Sequence, residues 1–455
     1  MRLLRALTPS RGSTTRNSSL DKALSATGST DSVGQAAEGV WSPNTHIPHL
    51  DGLRGLAILL VTLYRFGHTM PIDTPLGHWL AMQFWVGEHG VELFFVLSGF
   101  LITGILVDAK QTPHYFRNFF VRRGLRIFPL YFLSLALMLW LMPLVTRQPQ
   151  LFQAAREQQF YLWTYLTNVR MSLVDGWCFG SLDHFWSLAV EEHFYLLWPL
   201  LVYRCSTRTT LRLALILATA ACAGRTAWAF FGLSELAPAV LTPLRCDAML
   251  LGSALAIAVR SPRGLAAWPR WGVFLALPLL VVAVCIDYSQ SRLLFLGTTL
   301  WTLVWTAALA YLLAAPRNAH IAHFFNQAWL KNLGKLSYGM YVFQSPMIPL
   351  LTPGLVVLSG LVAPHHSVPG HLFHMVVLCA ATYVMAWFSW HGFEKHWLRL
   401  KRGFPGAPQQ ISAVSSDSEA VSQVQSSLGQ MALKGQDRQE NRNFLAFFSV
   451  FLTKS

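Results

Sequence analysis

The sequence predicts an all-α, polytopic integral membrane protein of about ten transmembrane helices with both termini in the cytoplasm. Three observations lead there. Of 455 residues, 53% are hydrophobic and only 12% charged, against about 25% charged in soluble proteins. Apolar runs of the length needed to cross a bilayer, about 20 residues, recur through the middle of the chain. The Lys and Arg residues between those runs gather on alternate connections, which is the positive-inside pattern.

The runs lie near 50–68, 88–108, 124–145, 184–204, 211–232, 236–260, 270–288, 293–315, 336–358 and 371–392. Arg2, Arg5, Arg11, Arg16 and Lys22 precede the first, whereas 69–87 contains no Lys or Arg. Lys110, Arg117, Arg122, Arg123 and Arg126 follow the second, and later even-numbered turns repeat the excess down to Lys395, Arg399, Lys401 and Arg402. A missed helix would scramble this alternation. The stretch 146–183 contains FYLWTYLTNV, too short to span, and is expected to be an external loop that dips back toward the membrane. Residues 1–46 and 403–455 are rich in small and polar residues and are expected to be largely disordered tails flanking a membrane domain at 47–402. The net charge of +14 gathers on the connections of one side of the expected membrane domain, so nucleic acid is not an expected partner. Six scattered cysteines without a CxxC pair indicate neither a zinc site nor a disulfide framework.

Ionisable groups inside apolar runs are costly and mark function. Asp51, Arg54, Arg65 and His68 all fall in the first run. At about 100° per residue, Arg65 lies about 20° round from Arg54 and His68 about 40° the other way, so the four share one helical face. Ser98 interrupts an aromatic run, and Arg122, Arg123 and Arg126 sit at the cytoplasmic entry of the third run. Those arginines suit phosphate oxygens, because guanidinium binds them in bidentate fashion, but ordinary positive-inside anchoring would also place them there. Glu191 and Glu192 stand side by side, with His193 next and His184 upstream. Adjacent residues point about 100° apart, so one carboxylate is expected to face a cavity and the other a neighbouring helix. A structural ion pair with Arg245 is the alternative. Arg245 and Asp247 form another expected buried pair, and Ser337, Tyr338, Tyr341 and Gln344 give the ninth run its polar positions, with Gln344 an interhelical hydrogen-bond partner.

Six ordered segments, LDGLRGLAILLV, GVELFFVLSGFLIT, RRGLRIFPLYF, FWSLAVEEHFYLLWPLL, LRCDAMLLG and LGKLSYGMYVFQSP, resemble the acyltransferase 3 family of integral-membrane O-acyltransferases. The resemblance implies transfer of an acyl group, typically acetyl from cytoplasmic acetyl-CoA, to a hydroxyl of a saccharide or lipid-linked glycan. It implies no permanently bound cofactor and a cell membrane location, the bacterial inner membrane. Arg54 matches the family arginine eleven positions before a catalytic histidine, and Arg122, Arg123 and Arg126 match its cytoplasmic basic motif, which implies donor binding there. Arg65 stands where the family has that histidine, and Gln344 where it often has another. Arginine cannot act as a base. The expected mechanism therefore has His68, about 4.5 Å further along the helix, removing the acceptor proton, with His184, His193 or Glu191 as alternatives. Asp51 or Glu191 orients the base, and Arg54 or Arg65 steadies charge on the thioester oxygen. Glu192, Arg245, Asp247, Tyr341, Gln344 and Ser98 complete the expected substrate-binding set. A catalytically degenerate binder of acyl-CoA or glycan, and a transporter of a polar or lipid-linked substrate, are the rival readings.

Overall fold

A computed structural model describes residues 48–67, 74–261, 264, 271–289, 294–316, 319–359 and 367–404, and the described residues are helical with no strand. The expected tails, apart from Gly403 and Phe404, and His68 of the expected site, lie outside them. The main helices are α1 (Pro48–Gly67), α2 (Gly90–Asp108), α3 (Tyr115–Ala136), α4 (Trp186–Arg204) and α5 (Thr207–Phe230). They continue with α6 (Asp247–Ala258), α7 (Trp271–Ser289), α8 (Leu294–Ala314), α9 (Ala328–Ser359) and α10 (Val368–Ser389). Each apolar run read from the sequence overlaps one of these, the run 236–260 only in part. Five stretches among the described residues are long and apolar enough to cross a membrane, at Pro75–Asp108, Tyr115–Val145, Leu296–Ala314, Ala328–Val357 and Val368–Gly403. The protein is a multi-pass, all-α membrane protein.

One expectation needs correction. The run 236–260 is not one helix: it is split into Ala237–Val240, Thr242–Arg245 and α6, with Leu241 extended at φ −74° and ψ 130°. Pro238 and Pro243 sit at the starts of the two short pieces, where a missing N–H is tolerated, whereas a helix continued through Pro243 would lose a hydrogen bond and clash with the preceding turn. The stretch 146–183 forms no helix long enough to span, as expected. It forms short helices at Gln153–Glu157, Gln159–Trp163 and Thr167–Val174, and buries Leu151, Phe152, Ala155, Leu162 and Met171 in one cluster with Tyr131 and Leu135 of α3. Asp175 ties this cap to the turn before Ala237, accepting from the Ser234 hydroxyl at 2.6 Å and the Leu236 N–H at 2.8 Å. Those bonds hold its carboxyl below the usual range.

Helix α1 packs chiefly against α9, and α2 against α6. Both contacts are backbone-close. A Cβ added at Gly55 would collide with the Leu330 carbonyl, and one at Gly334 with the Asp51 carbonyl. Small residues at such crossings let helices approach where lipid supplies no hydrophobic drive. The α1–α9 contact fixes Arg54 and Arg65 against the polar face of α9, where the buried Gln344 accepts from Thr62 of α1 at 3.4 Å. The interhelical role expected for Gln344 is the observed one.

Candidate active site

Two cavities meet in the middle of this helical frame, and Val91 and Tyr341 line both. The inner one is narrow, about 60 Å³, and is lined by Arg54, Arg123, Arg126 and Glu191 together with Ser337 and Tyr338. The outer one is about 600 Å³ and is lined by Arg65, Glu88, Glu92, Asp183, His184 and Arg245, among others. The spacing along α1 explains the division. Eleven residues separate Arg54 from Arg65, about 16 Å of helix rise on nearly one face, so a single helix delivers one arginine to each cavity.

The inner cavity carries three guanidinium groups against one carboxylate. Glu191 accepts from the Tyr195 hydroxyl at 2.6 Å and pairs with Arg123 at 3.4 Å. The Arg123 guanidinium lies 3.9 Å from the centre of the Tyr195 ring and also bonds its hydroxyl, which in turn meets Ser98. Residues Ser98, Tyr195, Glu191 and Arg123 thus form one connected network, with Glu191 holding Arg123 in place. The Nε of Arg54 is buried without a hydrogen bond. Guanidinium groups gathered in a slot with a single counter-charge are an anion site, with geometry suited to phosphate oxygens.

The expected arginine trio divides. Arg123 and Arg126 line the inner cavity, but Arg122 donates instead to the Phe404 carbonyl at 2.8 Å. Its expected place in the donor site is corrected to a tie between α3 and the end of the described chain. Asp51 sits one turn before Arg54 and lines neither cavity. The two glutamates separate as adjacent helical positions must: Glu191 faces the cavity and Glu192 does not line it. His193 is engaged with the Thr242 hydroxyl at 2.8 Å and lines neither cavity, so it is removed from the candidate bases.

In the outer cavity, Arg245 pairs with Glu92 at 2.5 Å and lies over the Trp186 ring at 5.4 Å. The expected Arg245–Asp247 pair does not form. Asp247 is instead held by Arg225, wholly buried on α5, through bonds of 3.0 and 2.6 Å, with further bonds from Arg225 to the Leu244 carbonyl at 2.5 Å and to Thr299. Asp247 lines neither cavity and is structural. Asp183 accepts from the Phe179 N–H at 2.8 Å. Burial pushes its carboxyl up to about 6, against the opposing pull of that N–H and of Arg65. At the boundary, the Tyr341 hydroxyl donates to the His184 carbonyl at 2.7 Å and meets Ser187. Aromatic surface from Tyr64, Trp85, Trp177 and Trp186 completes the outer wall, and Trp177 is 58% exposed.

Sequence reading missed Glu88, Glu92 and Arg225. Glu88 and His89 sit at the start of the second run, where they look like an ordinary helix boundary. Arg225 was hidden in an arginine-bearing helix, α5, whose other basic residues lie at its cytoplasmic-reading end.

Comparison with known proteins is consistent with this frame. A family model described as an acyltransferase domain matches residues 47–398. The chain is 29% identical over 384 residues to YrhL of Bacillus subtilis, a provisional peptidoglycan O-acetyltransferase, covering 77% of this chain and 54% of that protein. It is 25% identical over 371 residues to the peptidoglycan O-acetyltransferase OatA of Listeria monocytogenes, covering 77% and 55%. Over 177 residues it is 30% identical to the O-acetyltransferase OatA of Staphylococcus aureus, covering 36% and 26%. The chain thus spans about half the length of the first two. No solved structure matches.

Proposed function

The chain belongs to the acyltransferase family whose domain matches residues 47–398, and from that premise we propose that it moves an acyl group, acetyl in the first instance, from acyl-CoA to a saccharide hydroxyl. The observation that carries the reading is the pair of cavities that share Val91 and Tyr341 in their walls. The guanidinium groups of Arg54, Arg123 and Arg126 draw the diphosphate of the donor to the basic inner slot, and the slot itself, about 60 Å³, suits the extended thioester arm. The outer cavity, within the range of about 300–1,000 Å³ typical of ligand pockets, offers the carboxylates and aromatic rings that bind a sugar's hydroxyls and its apolar faces. The relatives named for peptidoglycan O-acetylation support a glycan acceptor.

In this reading the membrane domain covers 47–402, ten helices span the bilayer, and both termini are cytoplasmic in a bacterial inner membrane. The Arg54 end of α1 then faces the cytoplasm and its acyl-CoA, and the Arg65 end faces the glycan. Binding stretches the donor toward Val91 and Tyr341, where the thioester carbon meets the acceptor oxygen. Positioning of this kind supplies much of a transfer rate. Arg65 stands ready to stabilise negative charge developing on the carbonyl oxygen.

The arginine at position 65 favours a second reading, a family member that binds acyl-CoA or glycan without turnover. One assay separates the two. Purified protein incubated with radiolabelled acetyl-CoA and either glycan-strand fragments or total membrane glycolipids should deposit label in an alkali-labile ester. Bound donor with no labelled ester on any acceptor would leave the non-catalytic reading standing.

A further inference from the structure

The transfer needs a group that takes the acceptor's proton, and the residues lining the outer cavity can be considered one at a time. Arg65 and Arg245 stay protonated. Glu92 is held by Arg245 at 2.5 Å and stands 3.5 Å from His89. His89 is buried and stacked on Trp301, with ring centres 4.7 Å apart. The carboxylate of Asp183 is tied to the Phe179 N–H. Both ring nitrogens of His184 are sealed inside the protein, out of reach of a ligand in the cavity. Tyr341 directs its hydroxyl to the His184 carbonyl.

Glu88 differs from all of these. It lines the cavity and is exposed to it. It lies in the Val86–His89 turn that runs straight into α2, one turn before Val91, the residue shared by the two cavities. Residues three apart on a helix are neighbours on one face, so the carboxylate stands beside the point where donor and acceptor meet. Tyr64 hydrogen-bonds it, and Arg65 and Arg245 are near enough to act on its charge. The arginine in the family histidine's position thus stands near a carboxylate that can do the imidazole's work.

Resting on the acyl-transfer reading above, we propose that Glu88 is the general base of this chain. Its carboxylate takes the proton of the acceptor O–H as the oxygen forms a bond to the thioester carbon. The C–S bond then breaks, its electron pair leaves on sulfur, and the thiolate regains a proton to give free CoA and the O-acyl ester. Arg65 faces the carbonyl oxygen during the addition.

The test uses the full chain, labelled acetyl-CoA and the glycan acceptor. Glu88→Gln should lower kcat by about a hundred- to ten-thousandfold with acetyl-CoA affinity and thermal midpoint unchanged. Glu88→Asp should keep part of the rate, and Glu88→Ala should regain turnover when formate is added, since a small carboxylate can enter the vacated space. Full turnover in Glu88→Gln would overturn the proposal, as would a formate-insensitive Glu88→Ala that also melts early, which marks a structural role. Loss of turnover in His68→Ala with Glu88→Gln still active would overturn it in favour of the imidazole. An inert wild type that binds donor would strike at acyl transfer itself, a different failure from an active wild type indifferent to position 88.

Discussion

Replacing Arg225 with Met should cost the protein most of its stability, although Arg225 touches neither cavity. Arg225 is wholly buried, holds both oxygens of Asp247, and bonds Leu244 and Thr299, so it fastens α5 to the break before α6 and to α8. Removing one partner of a buried pair leaves the other charge without compensation, at a cost of about 3–5 kcal/mol. Native stabilities are only about 5–15 kcal/mol. The single variant should therefore purify poorly and melt far below wild type. Asp247→Leu added to Arg225→Met should recover much of the loss, because apolar replacement of both partners is often neutral or better. Thermal unfolding of the two variants beside wild type checks this. The rescued double variant should also retain acyl transfer, which would separate Asp247 from substrate binding. A single variant as stable as wild type would contradict the structural assignment.

The second large effect is expected at the inner cavity. Changing Arg54, Arg123 and Arg126 together to Gln should weaken acetyl-CoA binding by several kcal/mol, since a hydrogen bond to a charged group contributes about 1.5–3 kcal/mol and each 1.4 kcal/mol is tenfold in affinity. Arg122→Gln should bind nearly as wild type, because its guanidinium is turned to the Phe404 carbonyl. Calorimetry on the well-folded variants distinguishes donor recognition from simple membrane anchoring, in which all four arginines would be equivalent. Arg123 also pairs with Glu191, so Glu191→Gln belongs in the triple variant as a guard against an unpaired buried carboxylate.

Much of the frame was legible because a bilayer imposes its own length and polarity on the sequence. Helices occupy the apolar runs apart from the broken run 236–260, and the charged face of α1 delivered Arg54 and Arg65 to cavities as its periodicity required. The failures also have physical causes. Arg245 and Asp247 have opposite charge and lie two apart, but residues two apart do not face each other on a helix, and the proline-broken chain turns them to Glu92 and Arg225 instead. Such partners, 153 and 22 positions away, leave no local trace. Helical geometry separated Glu191 from Glu192 correctly, yet only tertiary packing shows that Tyr195 joins Glu191 to Ser98. Arg122 matched a motif and still turned away, because a motif names positions and the Phe404 carbonyl holds its guanidinium. Glu88 sat at a run boundary where composition carries no information about a cavity.

The central claim is that two cavities meeting at Val91 and Tyr341 let a donor from one side of the membrane meet an acceptor from the other. Proteoliposomes of uniform protein orientation, carrying labelled acetyl-CoA on one face and glycan only on the opposite face, test it most directly. Labelled ester should form when acetyl-CoA is on the face of the Arg54 end of α1 and glycan on the Arg65 face, and should be absent when the two are exchanged. Transfer that requires both substrates on the same face would contradict the account.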